Sequence, residues 1–358
     1  MRKVAILLLL LLASKSFAFL LSRHLWTYKT GSIVEGLTFS DDGKLGVVSY
    51  DHCIYILDQK GNLIIKKCGN NAMLGASYCC DKFGFVNEDG NAYIYDLKNG
   101  TWKKVYVGSD HAQTITMLQD GFLAGSFNDK LAYFTFDGFK GWDVEVDISG
   151  APTVYGEYVY VPGYSTPSYC TYCKGALIIL NISSGERVRI ITFSENVNSA
   201  QVCDHYLALG TAHHVYLYNI SNPLSPKLLW SVGGIASSCT WDVCGGAIDI
   251  AFSPDCKYIL SADNNDHKIH IFDIKGNQVL ERKFESHVWS VAWWRDRIAI
   301  GLYNGKVYVL KIKGYIPSIA TACPCTTTVT TTTTLTTTVT KTITRTTTIT
   351  YTIAITQK

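Results

Sequence analysis

The chain predicts an all-β fold in which small antiparallel sheets repeat around an axis, and two observations carry that expectation. The first is a strand-ending signature: Cys53-Ile-Tyr-Ile-Leu-Asp58, Ala92-Tyr-Ile-Tyr-Asp96, Ala132-Tyr-Phe-Thr-Phe-Asp137, Leu177-Ile-Ile-Leu-Asn181, Val215-Tyr-Leu-Tyr-Asn219, Ile269-His-Ile-Phe-Asp273 and Val307-Tyr-Val-Leu-Lys311. These seven copies recur at a period of about 40 residues, which is long enough for one four-stranded unit. The second is the turn chemistry between copies. Glu35-Gly-Leu-Thr-Phe-Ser-Asp-Asp-Gly-Lys-Leu-Gly-Val-Val-Ser-Tyr reads as strand, Asp-Gly turn and strand, the Cys53 run adds a third strand, and Asn62-Leu-Ile-Ile-Lys-Lys a fourth.

The unit at Ala247 repeats this plan: Ile248-Asp-Ile-Ala-Phe-Ser-Pro-Asp-Cys-Lys-Tyr-Ile-Leu-Ser-Ala, then Asp266-His-Lys-Ile-His-Ile-Phe-Asp273, then Lys275-Gly-Asn-Gln-Val-Leu. It resembles a WD40-type β-propeller blade, with Phe272-Asp273 standing where that family has Trp-Asp, over roughly residues 20–315. The resemblance implies seven four-stranded blades, and it is plainest in blades one, two, six and seven. Asp51, Asp89, Asp266 and Asn304 each lie seven residues before the last residue of their signature, where such repeats place a buried turn acid. In that family a His ahead of the first strand holds the acid, and His111 and His287 occupy such positions. A hydrogen-bonded brace is the expected role rather than a catalytic Asp/His pair, because buried polar side chains must be satisfied.

The seventh unit has a third strand at Lys306–Lys313 and no fourth after it. His24-Leu-Trp-Thr-Tyr-Lys supplies one from the N-terminus, closing the ring and removing an open sheet edge. Both ends of the ring then leave from one face, and the opposite face is free. That free face carries two irregular insertions, Pro162-Gly-Tyr-Ser-Thr-Pro-Ser-Tyr-Cys-Thr-Tyr-Cys-Lys-Gly and Ser231-Val-Gly-Gly-Ile-Ala-Ser-Ser-Cys-Thr-Trp-Asp-Val-Cys-Gly-Gly. Loops on rigid scaffolds are where binding resides, so Tyr164, Tyr169, Tyr172 and Trp241 are candidate anchors. The alternative is that they pack over the central channel.

The chain opens with Met1-Arg-Lys-Val, a short apolar run from Ala5 and Ser16-Phe-Ala18, the layout of a secretory signal peptide cleaved after Ala18. If it stays uncleaved, this segment is the only expected membrane attachment. The 12 cysteines then read as disulfides of an oxidising compartment or of a hyperthermophile. Cys53 and Cys68 are equidistant from the Gln59-Lys-Gly-Asn62 turn and face one another in a regular hairpin. Cys170 with Cys173 and Cys239 with Cys244 can close small loops; a four-cysteine metal site from these two pairs fits their spacing less well. Cys79-Cys80 resembles the vicinal pair of quinoprotein dehydrogenases, but the chain lacks their eight-bladed repeat. Cys203, Cys256, Cys323 and Cys325 have no partner readable from spacing. Asn99-Gly-Thr, Asn181-Ile-Ser and Asn219-Ile-Ser are glycosylation acceptor triplets.

Thr326 to Thr356 is mostly threonine, a composition that cannot build a core. It resembles the Thr-rich stalks of surface proteins from hyperthermophilic archaea; its β-branched residues also suit a strand paired with a partner. The expected organisation is a signal peptide at 1–18, a propeller at 19–315 and a Cys-Pro-Cys and Thr-rich tail at 316–358.

A net charge of +3 with 17% charged residues provides no basic groove, which argues against nucleic acid. No phosphate loop, dinucleotide fingerprint or His-Glu-x-x-His stretch appears, so no cofactor or metal is expected. The leading expectation is a secreted or cell-surface binding scaffold with a protein or glycan partner. The alternatives are a propeller enzyme, a hydrolase or quinoprotein-like oxidoreductase, using His213, His214, Asp263 and His267 at the channel, or an assembly protein polymerising through its tail.

Overall fold

The computed structural model describes residues 20–108, 111–126, 130–165, 174–233 and 247–315, with four two-residue strands beyond them. It forms seven sheets of four antiparallel strands. Blades one to six span residues 34–68, 73–106, 112–145, 153–192, 197–233 and 247–283, and blade seven joins residues 288–313 to Leu21–Lys29. The chain divides into two compact units, Met1–Ala322 and Cys323–Lys358; in the second, Thr333–Thr334 pairs antiparallel with Thr348–Ile349.

Burial explains why each blade reads as it does. In blade one the second and third strands, Leu45–Ser49 and Cys53–Leu57, are wholly buried, whereas the outermost, Leu63–Cys68, is mostly exposed. A strand covered on both sides is a continuous apolar run, and an outer one alternates. The first strand of each blade lies innermost, where it meets the first strand of at least one neighbouring blade. The apolar side chains of facing sheets, such as Val48, Ile54, Ile56, Phe83 and Phe85 between blades one and two, form the core between blades.

The N-terminal strand closes the ring. Leu21–Lys29 pairs antiparallel with Lys306–Lys313 from Leu21↔Lys313 to Lys29↔Lys306. The two ends of the propeller therefore lie side by side on the face that carries the turns between first and second, and third and fourth, strands. The opposite face carries the turns between second and third strands and the passages between blades.

Two local readings of the sequence change. The hairpin of blade one is not regular: five residues separate the partners Leu57 and Leu63, and a bulge at Ile64 restores the alignment, so that Cys53 and Cys68 are register partners and are bridged. In blade three the third strand ends at Thr135, two residues short of Asp137. Blade four is also irregular, its innermost strand being only Thr153–Tyr155, preceded by a lone bridge from Ile148 to Gly163.

A second disulfide, Cys203–Cys256, links the innermost strand of blade five to the first turn of blade six. Cys79 ends the innermost strand of blade two and Cys80 follows it in the turn, and both are disulfide-bonded. Cys239 and Cys244 are backbone register partners in a two-residue ladder. Cys170, Cys173, Cys323 and Cys325 lie outside the described residues, as do residues 1–19 and most of the Thr-rich tail.

Candidate recognition face

The innermost strands begin with a shared device. In blades one, two, three, five, six and seven a one-residue bulge follows the first residue of the strand, at Glu35, Leu74, Gln113, Asn198, Ile248 and Trp289. A bulge re-aims side chains where pairing starts, here on the face away from the termini. Just past it the blades approach closely. A Cβ added at Gly75 would meet the carbonyl oxygen of Gln113 at 3.1 Å, so this position suits small residues or ones that bond across.

Polar residues of these strands bond from blade to blade. Ser77 Oγ accepts the Met117 amide at 3.0 Å, Thr116 Oγ1 donates to Pro152 O at 2.6 Å, and Thr153 Oγ1 accepts the Val202 amide at 3.1 Å. Asp249 takes the Val291 amide of blade seven at 2.8 Å as well as its neighbour Ile250. Ser290 Oγ donates to Val34 O at 2.9 Å, and Trp289 Nε1 donates to Glu35 Oε2 at 2.9 Å. Burial, only partly offset by these donors, pushes the carboxyls of Glu35 and Asp249 up to about 7.

A ring of acids and tyrosines sits above. Asp51 accepts Tyr55 OH at 2.5 Å and the Gly31 amide at 2.6 Å, and Asp89 accepts Tyr93 OH at 2.9 Å. Glu195 does the same for blade five, with Tyr216 OH and His214 Nδ1 both at 2.7 Å, and Glu285 for blade seven, with Tyr308 OH and Lys306 Nζ at 2.9 Å. Against the upward push of burial, hydrogen bonds from Lys306 and Tyr308 hold Glu285 down at about 2. Each tyrosine stands three residues before the end of its strand signature. That spacing is visible in the sequence, as are Asp51 and Asp89, but Glu195 and Glu285 are not, because they come from the passage into a blade rather than from its inner turn.

Blade six departs from the pattern. His270 takes the tyrosine's place, and its Nε2 lies 3.6 Å from Oδ2 of the fully buried Asp263. The turn acid here is Asp263, which accepts the amides of Asn265 and Asp266 at 3.1 and 3.3 Å, and not Asp266. The reason is length: four residues separate the partners Asp263 and Lys268, where blades one and two use three. His287 does not brace an acid in this geometry but donates Nδ1–H to Asn264 O at 2.6 Å. Asn304 accepts the Lys306 amide at 3.1 Å, and His111 is exposed just ahead of blade three's first strand.

These contacts leave an aromatic and imidazole corner at blades six, seven and one. The His267 and His287 rings meet edge-on at 4.3 Å, His287 and Tyr303 at 5.8 Å, and Trp289 and Tyr303 at 5.7 Å. Tyr303 is 48% exposed, and beside it Asn265, Asp266, His267, Lys268 and Lys283 line a shallow cavity. His213 and His214 belong instead to the Glu195 cluster. Of the expected anchors, Tyr164 ends a strand of blade four, and Tyr169, Tyr172 and Trp241 lie outside the described residues. Asn99, Asn181 and Asn219 all sit at third-to-fourth-strand turns, on the face of the termini. Among the described residues no three His, Cys, Asp or Glu side chains converge as a metal site, and no helix is long and apolar enough to cross a membrane.

Comparison with known proteins fits this architecture. The chain is similar to the β-propeller domain of Cps50 (Swd1) from Myceliophteria thermophila, with a TM-score of 0.66 and 16% identity over 81% of this chain and 99% of that one. At that identity the likeness is one of fold. No family model matches the sequence, and neither does any curated protein.

The raised Glu35 carboxyl makes a pH prediction. A carboxyl raised in the folded state is neutral and unpenalised below its ordinary range near 4.5, and its contribution is lost as pH rises to 7. Glu35→Gln keeps an oxygen for Trp289 and removes the charge. The variant should match wild type at pH 4 and be more stable by on the order of 2 kcal/mol at pH 8, read from urea midpoints. An unchanged difference between the two pH values would contradict it. His267 works oppositely: burial, His287 and Lys283 push it down, so its contribution is lost as pH falls below its ordinary 6.5.

Proposed function

We infer that the chain is a secreted, envelope-associated binding scaffold that recognises a protein or glycan through the face opposite its termini. The observation that carries this reading is the pairing of Leu21 with Lys313, which gathers both ends of the ring on one face. The opposite face displays Tyr50, Tyr106 and Tyr303, the last beside the histidine corner, and aromatic side chains combine large contact area with little entropy to lose. The strands that flank both insertions, Tyr158–Tyr164 with Gly175–Asn181 and Lys227–Gly233 with Ala247–Phe252, meet this face. The disulfides Cys53–Cys68 and Cys203–Cys256 and the signal-like N-terminus support export, with cleavage after Ala18 and the Thr-rich tail as spacer.

The test is saturable binding of the purified, disulfide-intact protein to isolated envelopes of its host. Replacing Trp289 and Tyr303 together by Ala should weaken it at least about tenfold, the usual scale for losing aromatic anchors. Phe139→Ala, on the face of the termini and 68% exposed, should leave it unchanged. Equal behaviour of the two variants would refute the assignment of faces.

A further inference from the structure

An outermost strand exposes a row of backbone N–H and C=O groups, and proteins guard such edges with charge. Six outer strands of this ring follow the rule: Lys66 and Lys67 in blade one, Lys103 and Lys104 in two, Lys140, Asp143 and Glu145 in three, Arg187 and Arg189 in four, Glu281, Arg282 and Lys283 in six, and Arg23 and Lys29 in seven. Blade five does not. Its outer strand, Lys227–Gly233, is seven residues long, reads Lys-Leu-Leu-Trp-Ser-Val-Gly, and has its one charge at the first position. Leu228 and Leu229 are 48% and 44% exposed, while Trp230 turns inward and donates Nε1–H to Ile274 O at 3.0 Å. It is the terminal strand of its sheet, with no fifth strand beside it among the described residues.

The chain carries a segment of matching length and character. Ile349-Thr-Tyr-Thr-Ile-Ala-Ile355 has Ile349, Tyr351, Ile353 and Ile355 on one side of an extended chain, Thr350, Thr352 and Ala354 on the other, and no charge. Its β-branched and aromatic residues favour pleated backbone, and its first residue is already in a strand, Thr348–Ile349. We propose that residues 349–355 of one copy add as a fifth strand to the Lys227–Gly233 edge of a second copy. Main-chain hydrogen bonds supply the affinity, and the alternating apolar side chains, set against Leu228 and Leu229, supply the specificity. The contact is head-to-tail, so each copy is both donor and acceptor, and the assembly grows as a ring or a filament.

Directionality makes the test decisive. Leu229→Lys spoils the acceptor and leaves the donor, and Ile353→Lys does the reverse; both are made in the full chain. Light scattering after size exclusion should show wild type as oligomers, each variant as a single chain, and the equimolar mixture of the two as a one-to-one pair held by the surviving junction. Matching melting temperatures among the three proteins show that the propeller is intact. A monomeric wild type, or a mixture that does not pair, overturns the proposal. An oligomer abolished by Leu229→Lys but kept by Ile353→Lys also overturns it, because the occupant would then be the same edge of a second copy.

Discussion

Deleting residues 21–29 should unravel blade seven and lower the melting temperature by at least about 10 °C. The segment supplies a complete outer strand to Lys306–Lys313. It also brings Leu25, Trp26 and Tyr28 against the core shared by blades one and seven. Trp26 reaches further, donating Nε1–H to Gln59 O at 3.0 Å and lying so close to Gly61 that a Cβ there would sit 2.7 Å from its ring. Gly61 has φ 86°, so glycine answers both constraints of that turn. Partial burial of three large side chains stabilises by roughly 5 kcal/mol, and about 2 °C per kcal/mol is typical of a chain this long. Differential scanning calorimetry reads the result. A deletion variant melting within a few degrees of wild type would mean that the ring is held closed elsewhere.

The second large effect is expected at Cys203–Cys256. This bridge spans 53 residues and ties blade five to blade six, whereas Cys53–Cys68 spans 15 within one blade. On the chain-entropy account the longer loop contributes about 4 kcal/mol and the shorter about 3. Replacing Cys203 and Cys256 by Ser should therefore lower the guanidinium midpoint more than replacing Cys53 and Cys68. The reverse order would show that the loss follows local packing and not loop length.

These two features differ in how far the sequence announces them. The closing strand was readable, because the last repeat stops one strand short and an amphipathic segment of the right length lies at the other end of the chain. The Cys53–Cys68 bridge was readable through turn symmetry, although it holds only because the bulge at Ile64 compensates for an odd-length loop. Cys203 and Cys256 could not be paired by spacing: they meet across two blades, and their proximity is a property of the ring. The candidate recognition face divides the same way. Asp51 and Asp89 were found from their place in the repeat, whereas Glu195 and Glu285 do the equivalent work from a different loop. One extra turn residue in blade six moves that duty from Asp266 to Asp263. The corner formed by His267, His287, Trp289 and Tyr303 draws on three separate turns and a strand start, so no local pattern could reveal it.

Closing the ring with Leu21–Lys29 also imposes an order in time. Of the propeller's described strands synthesis makes this one first and its partner, Lys306–Lys313, last, so the oldest of them waits longest for its pair. Joining segments so distant along the chain costs about 3.5 kcal/mol more in loop entropy than closing a five-residue turn. It also places the step among the slow, non-local events of folding. Until it happens, blade seven is a three-stranded sheet with an open edge, and the exposed flank of Lys306–Lys313 is where a nascent or newly exported chain is most open to mispairing.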